Sequence, residues 1–172
     1  MKEVEILYNL KGSFKEARKQ LSIFKYAGKD VVTDLYYKMP DRTCLRLRKN
    51  VSGVHLTYKK DIYKGNAWLY SEEQEVKVKD FKKMRKLMKN IFQEWLIMQI
   101  DRTIYKNKKY KIVLDKIENV GNFLEVESRE DVKDVEITKQ NIRKFVSKMG
   151  LQVEEIVNDK GKPEIVAETL CL

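Results

Sequence analysis

Like-charged residues spaced two apart carry most of the chemistry in this chain: Glu3 with Glu5, Arg46 with Arg48, Glu73 with Glu75, and Glu125 with Glu127. His55, Thr57 and Lys59 repeat the spacing. On a strand, residues i and i+2 point to the same side, so each set presents its charges together. Apolar residues back them on the other face: Val4 and Ile6, Leu45 and Leu47, Leu56 and Tyr58, Leu124 and Val126. Arg and Lys match phosphoryl oxygens, Arg bidentately, while paired carboxylates supply the hard oxygen ligands that Mg2+ or Mn2+ prefers. Together these groups have the chemistry to hold a polyphosphate and a divalent metal.

Any one such strand reads most simply as the solvated face of an ordinary sheet. Two features of the set argue against that reading. The charged faces are sorted by strand, acidic at both ends and basic between, whereas a solvated face mixes signs. The apolar faces can also be covered from outside by amphipathic helices, which turns the charged faces inward as a barrel closes. Buried unpaired charge is costly, so such a lumen needs a neutralising ligand.

The elements that would position these residues form a meander. A first strand spans Met1 to Leu10, and Ser13 caps a helix running to about Tyr26, with Phe14, Ala17, Leu21 and Phe24 on one face and Gly28 as its stop. Strand-like runs follow from Asp30, broken by turn clusters at Met39 to Thr43, Asn50 to Gly53 and Gly65 to Asn66. A second helix is expected over Asp80 to Asn90, then strands near Trp95 to Lys106, Lys109 to Lys116 and Phe123 to Arg129, and a third helix over Thr138 to Met149, closed by Gly150.

Composition narrows the class. A chain of 172 residues with 42% hydrophobic residues supports one domain with a real core, although 36% of it is charged. A net charge of +10 favours polyanionic partners without choosing among nucleic acid, anionic membrane surface and phosphorylated metabolites. No stretch approaches the ~20 apolar residues of a spanning helix, and the first twenty residues contain acids and no apolar core segment. Cys44 and Cys171 form no CxxC pair, which fits a reducing cytoplasm.

In order along the chain stand Glu3-Val-Glu5, Asp34-Leu-Tyr36-Tyr37, Leu45-Arg46-Leu47-Arg48, Leu56-Thr57-Tyr58-Lys59, Glu73-Gln-Glu75, Arg102-Thr-Ile-Tyr105, and Leu114-Asp115 through Gly121, Phe123, Glu125 and Glu127. This ordered set, covering about residues 3 to 130, resembles the CYTH or triphosphate tunnel superfamily, which includes thiamine and inorganic triphosphatases and class IV adenylate cyclases. The resemblance implies an α+β fold, an eight-stranded antiparallel closed β-barrel with helices packed outside, here as one domain over residues 1–172. It implies that Glu3, Glu5, Asp115, Glu125 and Glu127 ligate Mg2+ or Mn2+, that Arg46, Arg48, Lys59 and Arg102 hold phosphates, and that Glu75 and Arg102 act at the reacting group.

Three positions depart from the family pattern. Leu7, Ser71 and Ile100, the last beside Asp101, stand where the family carries bases, and Lys11, Lys77 and Lys111 are the candidate substitutes. The sole histidine, His55, has no nucleophile motif around it, and neither GxxxxGK[ST] nor GxGxxG occurs. The run Lys82, Lys83, Arg85, Lys86 and Lys89 reads first as a solvated helix face over Phe81, Met84, Leu87 and Met88, and second as a nucleic-acid patch. The expected function is metal-dependent hydrolysis of a small triphosphate: tripolyphosphate, thiamine triphosphate or a nucleoside triphosphate. A class IV-type adenylate cyclase is the alternative, and a catalytically impaired polyphosphate- or RNA-binding module the third reading. No membrane partner is expected, and a homodimer stays open.

Overall fold

The computed structural model describes residues 2–40, 43–65, 67–156 and 161–172. The expected turns at Met39 to Thr43 and Gly65 to Asn66 fall partly on residues 41, 42 and 66, outside the described residues. The strands are β1 (Lys2–Glu3), β2 (Glu5–Leu10), β3 (Lys25–Tyr37), β4 (Thr43–Asn50), β5 (Gly53–Lys64), β6 (Ala67–Val78), β7 (Glu94–Lys106), β8 (Tyr110–Ile117), β9 (Gly121–Ser128) and β10 (Val153–Glu155). The helices are α1 (Phe14–Leu21), α2 (Phe81–Lys89), α3 (Val135–Ser147) and α4 (Lys162–Thr169).

One antiparallel sheet joins all the strands in the order β1-β6-β5-β4-β3-β7-β8-β9-β2-β10. Its two ends meet in a single stretch of chain. β1 pairs with β6 through Lys2↔Glu72 and Glu3↔Ser71, and after a break at Val4 the same run continues as β2, paired with β9 from Glu5↔Glu127 onward. Counting β1 and β2 as one strand, eight strands close the barrel, and β10 adds to β2 beside it.

Alternation decides what faces in. Val4, Ile6, Tyr8 and Leu10 of the first strand join Ile112, Leu114, Leu124 and Val126 in an outer core under α1 and α3, with Ala17, Leu21, Ile142 and Val146 from those helices. Leu35, Tyr37, Leu45 and Leu47 form a second outer core under Met88 of α2. Both assignments follow the sequence pattern, and α2 lies inside its expected bounds, with the Asp80 side chain accepting from the Lys83 N–H as N-cap.

The third helix starts three residues before its expected Thr138, at Val135 behind the N-cap Asp134, and two larger features differ from the sequence expectation. α1 stops at Leu21, because Lys25 and Tyr26 already pair with Lys106 and Tyr105 of β7. Gly28 serves instead at the register shift of that strand pair, where its φ of 147° is open to glycine. The second difference lies after Met149, where β10 and α4 were unforeseen. Val166 and Ala167 of α4 pack on inward-facing Val32, Tyr36, Leu96, Met98, Ile100 and Phe123. Three helices therefore lie outside the barrel while the fourth sits on its inner face.

Leu114→Ala should lower unfolding free energy by about 2–5 kcal/mol, because its site is fully buried between the wall and the outer helices. Val76→Ala on the same barrel, at a side chain 59% exposed, should change it by less than about 0.5 kcal/mol. Urea melts of the two variants check the inside-outside assignment; comparable losses would contradict it.

Candidate functional site

The part of the lumen not filled by α4 is a cavity of about 640 Å3. Glu3, Glu5, Arg46, Arg48, Lys59, Glu73, Glu75, Arg102 and Glu125 line it, as the alternation requires. Two expected site residues do not reach the lining. Asp115 is fully buried behind Arg102, and Glu127 is held aside by Lys111 Nζ at 2.6 Å.

The lumen neutralises itself with ion pairs. Arg48 grips Asp34 with both arms, Nε to Oδ1 at 2.7 Å and Nη2 to Oδ2 at 2.6 Å. Arg102 grips Asp115 likewise, both bonds at 2.8 Å. Lys59 Nζ donates to Glu3 at 3.0 Å and Glu5 at 3.3 Å. Glu75 accepts from the Thr57 hydroxyl at 3.1 Å and faces His55 Nδ1 at 3.0 Å. Arg46 is the least satisfied cation: its Nη2 reaches Glu73 at 3.3 Å and Thr57 at 3.5 Å, and its buried Nε has no partner among the described residues.

Lys162 is a lumen cation that the sequence reading missed. It enters from the first turn of α4 and donates to Asp115 Oδ2 at 2.6 Å and Glu125 Oε2 at 2.7 Å. The signal for it was present, since Gly161-Lys162-Pro163-Glu164 is a helix start with Pro in the first turn. Of the substitutes proposed for the absent bases, Lys111 lines the cavity. Lys11 is paired with Glu154 at 2.6 Å in an exposed bridge, and Lys77 does not line the cavity. Leu7 and Ile100 line it and pack in the apolar cluster that seats α4, while the Ser71 hydroxyl donates to Asp61 at 2.5 Å.

The carboxylates are not equally at rest. Burial pushes Glu5 up to about 7; Lys59 opposes this, and the charges of Glu125 and Glu3 add to it. Burial likewise raises Glu3. Burial also opposes ionisation of Glu125, but Lys162 foremost, then Arg102, hold its carboxyl well below the usual range. Among the described residues ten carboxylates and eight Lys or Arg side chains line the cavity, Glu136, Lys139 and Arg143 of α3 at its edge included, an acid excess within a chain whose net charge is +10.

For a divalent metal the arrangement of these donors and their chemistry point in different directions. Among the described residues no three acids stand close enough together to hold an ion, since Lys59 occupies Glu3 and Glu5 and Lys162 occupies Glu125. The donor chemistry nonetheless fits. Glu3, Glu5 and Glu125 are hard oxygen donors facing one lumen, and the charges of Glu3 and Glu125 both weigh against ionised Glu5 even with Lys59 and Lys162 in place.

The sequence profile of the CYTH domain matches residues 1–158. The chain belongs to the CYTH family. CYTH proteins bind triphosphate substrates, are metal-dependent in general, and include triphosphatases and proteins named adenylate cyclases. A Methanocaldococcus jannaschii relative, provisionally named an adenylate cyclase, is 29% identical over 167 residues, covering 90% of this CYTH chain and 92% of its own. A Pyrococcus horikoshii structure superposes with a TM-score of 0.78 at 26% identity over 88% of this chain and 94% of that one. A Hippeastrum protein, provisionally an adenylyl cyclase and described with a dominant triphosphatase activity, shares the fold at a TM-score of 0.69 and 17% identity, covering 98% and 96% of the two chains. No helix among the described residues of this CYTH chain is long and apolar enough to cross a membrane.

Asp34 offers a test of the paired lumen. Arg48 and the neighbouring arginines overcome burial and hold its carboxyl below the ordinary range, so the unfolded chain binds more protons there and stability falls as pH drops through that range. Asp34→Ala should cost about 3–5 kcal/mol at pH 7, because Arg48 is left buried and unpaired. The variant should also lose less of its remaining stability than the wild type below about pH 4. Urea melts at neutral and acid pH check both.

Proposed function

We propose that the chain, acting as one tunnel domain over residues 1–172 in the cytoplasm, is a metal-dependent triphosphatase that transfers the terminal phosphoryl group of a small triphosphate to water. The observation that carries this reading is the lumen itself: Arg46, Arg48, Lys59, Arg102, Lys111 and Lys162 converge on one cavity, and among the described residues their counter-ions are protein carboxylates. Phosphate oxygens are chemically equivalent acceptors for those N–H groups, and Arg46 has bonding capacity to spare.

Glu3, Glu5 and Glu125 are the groups we assign to Mg2+ or Mn2+, with Glu127 behind them on the same face of β9. Asp115 we assign as a positioning residue, because its oxygens already fix Arg102 and Lys162. The bound ion would supply positive charge and polarise phosphoryl oxygens. As substrate enters, Lys59 and Lys162 exchange carboxylate for phosphate oxygens, which frees Glu3, Glu5 and Glu125. Arg102 donates to the terminal phosphoryl group, and Glu75 orients the attacking water and takes its proton. The water oxygen bonds to the terminal phosphorus while the bond to the bridging oxygen breaks, its electron pair leaving on the remaining phosphate chain.

The M. jannaschii relative's name supports a second reading. There the 3′ hydroxyl of bound ATP attacks the α-phosphorus and pyrophosphate leaves, with the same cations absorbing the charge.

A panel of tripolyphosphate, thiamine triphosphate, ATP and GTP with Mg2+ or Mn2+, read for phosphate and for cyclic nucleotide, tests the proposal. Phosphate release from at least one compound is expected, and Lys59→Met should lower kcat/KM by roughly 100-fold or more with the fold intact by circular dichroism. Cyclic AMP without phosphate release would replace the proposal by the cyclase. Inactivity on all four would leave a binding module.

A further inference from the structure

Outside the barrel, α1 and the wall strands β3, β7 and β8 enclose an open cleft of about 590 Å3, remote in chemistry from the tunnel. Lys15, Arg18 and Lys19 line it from the helix, Lys116 from β8, and aromatic rings fill the space between. Lys116 alternates with the inward Asp115, so it stands on the outer face of the wall. Among the described residues no carboxylate lines the cleft. Glu16 on α1, Asp101 as the cross-strand partner of Lys116, and Glu118 two residues beyond Lys116 are the neighbouring acids in chain and register, and none of them lines the cleft. None of the four cations makes an ion pair among the described residues, whereas nearly every cation in the tunnel is paired.

The rings are poised as well. Tyr26 lines the cleft and is 55% exposed, while its ring stands edge-on to buried Tyr105 with centroids 6.0 Å apart at 72°. Rigid, exposed aromatic surface beside unpaired cations suits a ligand that is a flat ring joined to a phosphate.

We propose that this cleft is a second binding site, for a nucleotide unit whose base stacks on Tyr26 and whose phosphate lies among Lys15, Arg18, Lys19 and Lys116. The unit comes either from a free nucleoside monophosphate or from a single-stranded nucleic acid. Its size fits, since small-molecule sites occupy roughly 300–1,000 Å3. It is independent of the tunnel, because the barrel wall separates the two and the ligand needs no triphosphate.

The test is binding of uridine monophosphate and of a fluorescent decauridylate with hydroxyl ends, followed by anisotropy and calorimetry on the full chain. Saturable binding is expected for the decamer. Binding of the monophosphate as well assigns the site to the free nucleotide, and binding of the decamer alone assigns it to the nucleic-acid chain. Arg18→Ala with Lys19→Ala should weaken the complex at least about tenfold and flatten the decamer's slope of log affinity against log salt by up to about 0.7, the contribution of the one phosphate the cleft neutralises. Tyr26→Ala should weaken it roughly fivefold or more with that slope unchanged. Lys82→Ala with Lys86→Ala, the same charge removed from α2, and Arg46→Met in the tunnel should each change it less than about twofold. Equal losses from the α2 or tunnel variants, no loss from the cleft variants, or absence of saturable binding to either ligand would overturn the proposal.

Discussion

Charge enclosed by a closed barrel is the constraint on which the rest of this structure depends. A carboxylate or guanidinium removed from water loses several kcal/mol that only close, well-directed partners return. The strands meet that demand by facing basic side chains across acidic ones, so that Arg48 closes on Asp34, Arg102 on Asp115 and Lys59 on Glu3 and Glu5. The balance is incomplete. The cavity keeps an acid excess, burial and its neighbours push Glu5 up to about 7, and Arg46 retains a buried donor without a partner among the described residues. A basic exterior gathers polyanions while an acidic lumen resists one that arrives without positive charge. On the proposed function, metal and triphosphate enter together for this reason.

The inner face is divided, and the division accounts for the departures from the family pattern. Leu7 and Ile100 belong to the apolar half, where Val166 and Ala167 of α4 find their seat. A lysine at either position would lie in that apolar seat. The helix that these apolar residues hold returns a cation to the lumen as Lys162, bonded to two carboxylates of the polar half. The loss of strand bases and the gain of the helix lysine are thus one rearrangement of the same surface.

Period-two alternation made the lumen legible, because a strand commits every second residue to one side and the pairs at 3/5, 46/48, 73/75 and 125/127, taken together, weigh against a solvated face once helices cover the apolar ones. Helix α2 was legible from the capping residue Asp80 and the apolar face behind its lysines. The end of α1 was not, because Lys25 and Tyr26 take their conformation from pairing with β7, a partner about eighty residues away. β10 is three residues long, too short for any period to register. α4 hid for a different reason: its buried side includes Lys162, and a lysine reads as solvent-facing until its two carboxylate partners are known. The pairing pattern itself, with Asp115 holding Arg102 and Lys162 and not the cavity, is a property of three dimensions.

The central claim is that the lumen admits a triphosphate only in company with a divalent cation, and calorimetric titration of tripolyphosphate into the protein, once in millimolar Mg2+ and once in EDTA, tests it most directly. The account predicts one site per chain in Mg2+ and affinity at least about tenfold weaker in EDTA, a difference of about 1.4 kcal/mol or more. Equal affinity in the two buffers, or no saturable binding in Mg2+, would contradict it.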